Sequence, residues 1–155
     1  MTHEDHLLVV FPHPDDEAFS SAGTIIEHAE NRGPVTYACL TLGEMGRNMG
    51  RPVFTNREQL ATIRKRELID AAEKMKISDL QMWGLRDKTV EFEDEAALAD
   101  RILALIQQTR PTRLISFYPG YAVHPDHEAT ARAVVRALRM MDPSDRPEFL
   151  AVAFA

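Results

Sequence analysis

The chain has 155 residues, 45% of them hydrophobic and 27% charged, with a formal net charge of −6 and one cysteine. That length supports one hydrophobic core and is short for two ordinary domains. The acidic balance argues against nucleic acid as a partner, because phosphate binding needs a basic patch. The lone cysteine, Cys39, excludes an intramolecular disulfide and fits a reducing compartment.

The polar start Met1–His6 is followed by only a short apolar run. That is no secretory signal, and nowhere is there a stretch of ~18 or more apolar residues to cross a bilayer. The expected location is the cytoplasm, with no membrane partner. His6 to Phe11 reads as a buried strand. Directly after it comes His13-Pro14-Asp15-Asp16-Glu17, and then a predicted helix from Ala18 to Asn31 with Ile25, Ile26 and Ala29 on one face and Gly33 as its stop. His28 of this helix is expected at the surface. Val35 to Leu42 reads as a second strand, with Cys39 as a small buried hydrophobe.

Gly43 to Thr55 is rich in Gly, Asn and Pro and reads as a long loop, a length often tied to function. Arg57 to Lys76 is an amphipathic helix, with Leu60, Ile63, Leu68 and Ala71 or Ala72 facing inward. Leu80 to Trp83 is a short strand. Asp94 to Thr109 is a helix capped by Asp94 and stopped by Pro111. Arg113 to Tyr118 is a strand, followed by His124-Pro125-Asp126-His127 and a helix from His127 to Met141. Phe149 to Ala155 is again strand-like.

Strands alternating with helices predict a doubly wound, Rossmann-like α/β fold: a mostly parallel sheet with helices on both faces, in a single domain spanning 1–155. The apolar final strand leads us to expect a further C-terminal segment beyond residue 155.

Both histidine-carboxylate runs follow an apolar strand, and ligands of parallel sheets bind beyond the carboxyl ends of strands. Catalytic zinc takes three protein ligands from His nitrogen and carboxylate oxygen and keeps one position open. His13 and Asp16 from the first run, with His127 from the second, make such a set. Pro12, Pro14 and Pro125 stiffen the two turns before any metal binds. Asp15 is then a free carboxylate beside the metal, suited to act as general base. His124 is a candidate cationic donor to an oxyanion, with the Asp126 carboxylate orienting it. Each run also has a plainer reading. The acidic triplet can be a helix first turn favoured by the dipole, and His127 a simple helix-start residue. Finding both runs, each behind a strand, favours the site.

Phe11-Pro12-His13-Pro14-Asp15-Asp16-Glu17 together with His124-Pro125-Asp126-His127 resembles the zinc-dependent N-acetylglucosaminyl deacetylases of the LmbE/PIG-L superfamily. The resemblance extends through Thr41–Asn48 and Gly84–Thr89, and looks closest to the bacillithiol-biosynthesis branch, whose substrate is N-acetylglucosaminyl-malate. It implies that His13, Asp16 and His127 bind zinc, that Asp15 is base and later acid, and that His124, partnered by Asp126, stabilises the oxyanion. It further implies that Arg64 contacts substrate, that Asp87 contacts sugar hydroxyls, and that the protein can associate as a homo-oligomer. Arg47, Arg51 and Arg64 are candidates to meet the two carboxylates of malate. One departure stands out: a tyrosine position of the family is Ala122 here, with Tyr121 one residue earlier.

The expected partner is thus a small N-acetylated glucosaminide, and the expected cofactor zinc, although ferrous iron accepts the same ligands. A two-His-one-carboxylate iron oxygenase and a non-catalytic metal- or sugar-binding module are the competing readings.

Overall fold

The computed structural model describes residues 5–13, 21–41, 57–85, 90, 93–120 and 124–152, with 57–61 described by backbone alone. The elements, in chain order, are β1 (Leu7–Phe11), α1 (Ala22–Asn31), β2 (Val35–Cys39), α2 (Arg57–Lys74), β3 (Asp79–Met82), α3 (Glu95–Thr109), β4 (Arg113–Phe117), α4 (Pro125–Arg139), a 3-10 turn at Pro143–Asp145 and β5 (Glu148–Val152). The five strands form one sheet in the order β3-β2-β1-β4-β5, and every pairing is parallel. This is the doubly wound order the alternation predicts.

Side-chain alternation along the strands decides which helix covers which face. Leu8 and Val10 of β1, Ala38 of β2 and Leu114 of β4 point to the face covered by α3 and α4, where they meet Leu98, Ile102, Leu105, Ala133, Val134 and Ala137. Leu7, Val9 and Phe11 point to the opposite face with Val35, Tyr37, Ile115 and Phe117, and there they meet Ile25 of α1 with Leu68 and Met75 from α2 and its end. Every residue of β1 and β2 is buried, as expected of central parallel strands. Full burial of one such Leu or Val contributes roughly 1.5–3 kcal/mol. On the outer side, Glu95 of α3 bridges Arg132 at 3.3 Å and Arg136 at 3.1 Å on α4.

Several boundaries differ from expectation, each for a local reason. Asp94 does cap α3, its carboxylate accepting from Ala96 N–H at 2.9 Å. The stop of α3 comes one residue ahead of Pro111, at Arg110, which turns left-handed (φ 48°) and donates its N–H to Ile106 O at 2.8 Å. The fourth helix begins at Pro125 rather than His127, because proline suits the first helical position and His124 supplies the cap. Among the described residues no helix is long and apolar enough to cross a membrane. The Gly43–Thr55 loop lies outside the described residues.

His28 is a correction. It is fully buried, not at the surface. Its Nε2 donates to the backbone carbonyl of Asp5 at 2.9 Å, and its Nδ1 meets the Arg113 guanidinium. With one nitrogen donating and the other accepting, a neutral imidazole can be buried at little cost. Burial holds its pKa below the ordinary histidine value; the Asp5 carbonyl opposes this and the Arg113 charge reinforces it.

A histidine whose folded pKa is depressed binds its proton more readily in the unfolded chain, so its contribution to stability is present above about pH 6.5 and lost as pH falls through the folded value. We therefore expect the urea midpoint to fall from pH 7.5 to pH 5.5 more steeply for the wild type than for His28→Gln. Equal pH dependence in the two chains would contradict this.

Candidate metal centre

The site forms where the chain leaves β1 and β4. These strands are neighbours in the sheet, yet β1 connects through α1 on one face and β4 through α4 on the other. Their carboxyl ends therefore mark the switch point of the sheet, the place where parallel α/β sheets bind ligands.

His13 is held at this edge by backbone. Leu40 N–H donates to Phe11 O at 3.0 Å, and Pro12 O accepts twice from Thr41, from N–H at 2.8 Å and from Oγ1 at 2.7 Å. The Tyr37 hydroxyl donates to His13 O at 3.4 Å. Pro12 has no N–H of its own to satisfy, so its buried carbonyl anchors the turn. From the other side, Ser116 Oγ donates to Val10 O at 2.7 Å and ties β4 to β1.

The second run is the first turn of α4. His124 is the N-cap, its Nδ1 accepting from Asp126 N–H at 3.1 Å. Asp126, at the second helical position, is fully buried, with the positive end of the helix dipole beside its carboxylate. Thr130 Oγ1 donates to Asp126 O at 2.7 Å, and Glu128 Oε2 accepts from Gly120 N–H at 2.8 Å, bracing the turn. His127 stacks on Phe117, with centroids 4.1 Å apart and planes 13° from parallel, which fixes the ring orientation.

The two runs meet. His13 Nδ1 lies 3.2 Å from His127 Nε2, and His13 Nε2 donates to Asp126 Oδ2 at 3.0 Å. His124 completes the cluster, its ring 5.1 Å from that of His13 and 5.0 Å from that of His127. One ligand atom from each of His13, His124 and Asp126 also falls within 4.8 Å of the others.

The donor set fits a divalent metal. Two nitrogens ~2.0–2.1 Å from a tetrahedral zinc stand about 3.3 Å apart, close to the 3.2 Å separating the facing His13 and His127 nitrogens. The same separation suits a single N–H···N bond when no ion is bound.

Of the residues singled out in the sequence, His13, His124, Asp126 and His127 come together here. Asp15 and Asp16 lie outside the described residues, as do Arg47, Arg51, Asp87 and Tyr121. Arg64 sits on α2, partly exposed, with its Nη1 3.7 Å from Glu67 Oε2. The sequence reading paired the Asp126 carboxylate with His124; the bond its Oδ2 makes is to His13, and it is the Asp126 backbone amide that reaches His124. Phe117, Thr41 and Tyr37 were missed. Nothing in their local patterns sets them apart from other strand residues.

Comparison with known proteins places this geometry in context. Residues 8–138 match the family described as PIG-L: GlcNAc-PI de-N-acetylase. A Bacillus cereus protein named Probable N-acetyl-alpha-D-glucosaminyl L-malate deacetylase 2 is 58% identical over 150 residues, which cover 97% of this chain and 68% of that protein. Among solved structures, the N,N'-diacetylchitobiose deacetylase of Pyrococcus horikoshii superposes with a TM-score of 0.76 at 21% identity, covering 96% of this chain and 58% of that one. The 4-carboxy-2-hydroxymuconate hydratase GalB of Pseudomonas putida superposes with a TM-score of 0.77 at 20% identity, over 96% of this chain and 62% of that one. A deacetylase and a hydratase share this fold, so the fold alone does not choose the reaction. The chain thus spans about two thirds of the length of its Bacillus cereus relative and about three fifths of these structures.

If His127 is a direct ligand, His127→Ala weakens zinc binding by more than the ~10–100-fold typical of outer-shell partners. Competition against a chromophoric chelator reads this directly. A variant that keeps wild-type affinity would remove His127 from the ligand set.

Proposed function

We propose a hydrolytic function from one premise: this chain belongs to the PIG-L family, the GlcNAc-PI de-N-acetylase family. On this reading it is a metal-dependent hydrolase that removes the acetyl group from an N-acetylglucosamine conjugate, with N-acetylglucosaminyl-malate of bacillithiol biosynthesis as the substrate. The observation that carries the reading is the approach of His13 Nδ1 to His127 Nε2 at the sheet's switch point. The malate conjugate rests on the name of the 58% identical Bacillus cereus relative. The cytoplasm is the proposed location, which the single, buried Cys39 thiol supports.

In this proposal His13, Asp16 and His127 hold the metal, taken to be zinc. A metal bound there would supply Lewis acidity toward the acetamide carbonyl and would lower the pKa of a bound water into the neutral range. Asp15 accepts the proton of the attacking water and later returns it to the departing amine. His124 faces the developing oxyanion with the ring nitrogen that Asp126 N–H does not occupy. Such a donor acts most strongly in the transition state, where the charge appears, and its loss costs roughly 3–4 kcal/mol in related oxyanion sites. Asp87 meets sugar hydroxyls, while Arg64 and Arg47 meet the substrate's anionic end by paired hydrogen bonds.

Two outcomes follow. Asp15→Asn lowers the rate of acetate release by ~10²–10⁴-fold while leaving zinc content unchanged, as befits a general base that is not a ligand; an unaltered rate would remove Asp15 from that role. Arg47→Ala raises KM for the malyl glucosaminide more than for N-acetylglucosamine itself, since only the former carries carboxylates to lose. Equal effects on both substrates would refute the malate contact.

A further inference from the structure

Asp126 touches two of the three clustered histidines, through two different groups. Its buried carboxylate accepts from His13 Nε2 at 3.0 Å, and its backbone N–H donates to His124 Nδ1 at 3.1 Å. A ring nitrogen that donates must carry a proton, and one that accepts from a backbone amide must not. We propose that Asp126 is a positioning residue that sets the tautomers of both rings at once. It keeps the proton of His13 on Nε2, which leaves Nδ1 as the donor atom toward a metal. It keeps Nδ1 of His124 unprotonated, which puts that ring's proton on Nε2.

The assignment rests on the hydrolase reading for its consequences, but its atoms are those of this chain alone. His13 Nδ1 is the nitrogen that faces His127 Nε2 at 3.2 Å, so the edge left free by the Asp126 contact is the edge the two histidines share. A carboxylate on the far nitrogen of a ligating imidazole holds its plane and raises its basicity. Asp126 can hold this place because its position is fixed four ways: by burial, by its place in the first turn of α4, by the capping His124 and by Thr130 Oγ1 on its carbonyl. For His124 the consequence is a ring that donates through Nε2–H. Both rings are thus left with the proton on Nε2 and the lone pair on Nδ1, His13 because the carboxylate accepts from it and His124 because the backbone amide donates to it.

The test uses the zinc-loaded chain with 15N-labelled histidine. In wild-type protein, imidazole NMR should find His13 protonated on Nε2 with a metal-shifted Nδ1, and His124 protonated on Nε2. His13 protonated on Nδ1, with Nε2 on the metal, overturns the proposal without any variant. Asp126→Asn should lower zinc affinity by ~10–100-fold in chelator competition and change the visible spectrum of the cobalt-substituted protein. A cobalt spectrum indifferent to Asp126→Asn overturns the assignment. A wild type with the stated tautomers that releases no acetate fails the hydrolase reading alone. One that deacetylates with His13 bound through Nε2 fails this inference alone.

Discussion

The constraint on which the site depends is the reversal of winding direction between β1 and β4. Both strands are central, parallel and buried, so their hydrogen-bonding edges are fully used by each other and by β2 and β5. Beyond their carboxyl ends the chain leads from β1 to α1 on one face of the sheet and from β4 to α4 on the other. Residues separated by more than a hundred positions, such as His13 and His127, are brought within one hydrogen-bond length by this reversal and by little else. The doubled bond of Thr41 to Pro12 O matters for the same reason: it extends the pairing of β1 with β2 past the last strand residue and delivers His13 from a rigid base.

How legible this was in the sequence differs by level. The central strands were plain, because short apolar runs bounded by turn residues have few other readings once helices alternate with them. The start of α4 is the exception although its signal is present: Pro125 suits a first helical position as well as it suits a stiff turn. His28 was misplaced in a more instructive way. It lies three residues after Ile25, on the same inward stripe, and the spacing alone would have buried it. It was sent to the surface on residue type. A histidine can occupy a core position whenever both nitrogens find partners, and the partners here, Asp5 and Arg113, are too distant in sequence for any local pattern to announce.

The site shows the same division. Which residues gather could be read from two short motifs; which atom meets which could not. The Asp126 carboxylate sits two positions from His124 in sequence and 113 from His13, yet its Oδ2 bonds the distant ring. The helical turn explains the near pair. With His124 as N-cap, its Nδ1 is met by the backbone amide at the second helical position, while the Asp126 carboxylate reaches His13 across the molecule.

The sheet carries polar clusters at both ends, and the two differ in how their histidines are paired. At the amino ends, His6 Nε2 pairs with Thr36 Oγ1 at 2.8 Å, His6 O accepts from Thr112 N–H at 2.8 Å, and His28 is matched donor to acceptor on both nitrogens. Among the described side chains, the buried nitrogen left without a partner at that end is Arg113 Nε. At the carboxyl ends, the pairing is of another kind. His13 and His127 turn ring nitrogens toward each other, and two such nitrogens share at most one proton between them in a neutral pair. The two facing imidazoles are held from opposite sides, His127 by stacking on Phe117 and His13 by the Asp126 carboxylate, so the geometry of the pair is set by β4 and by the first turn of α4 together.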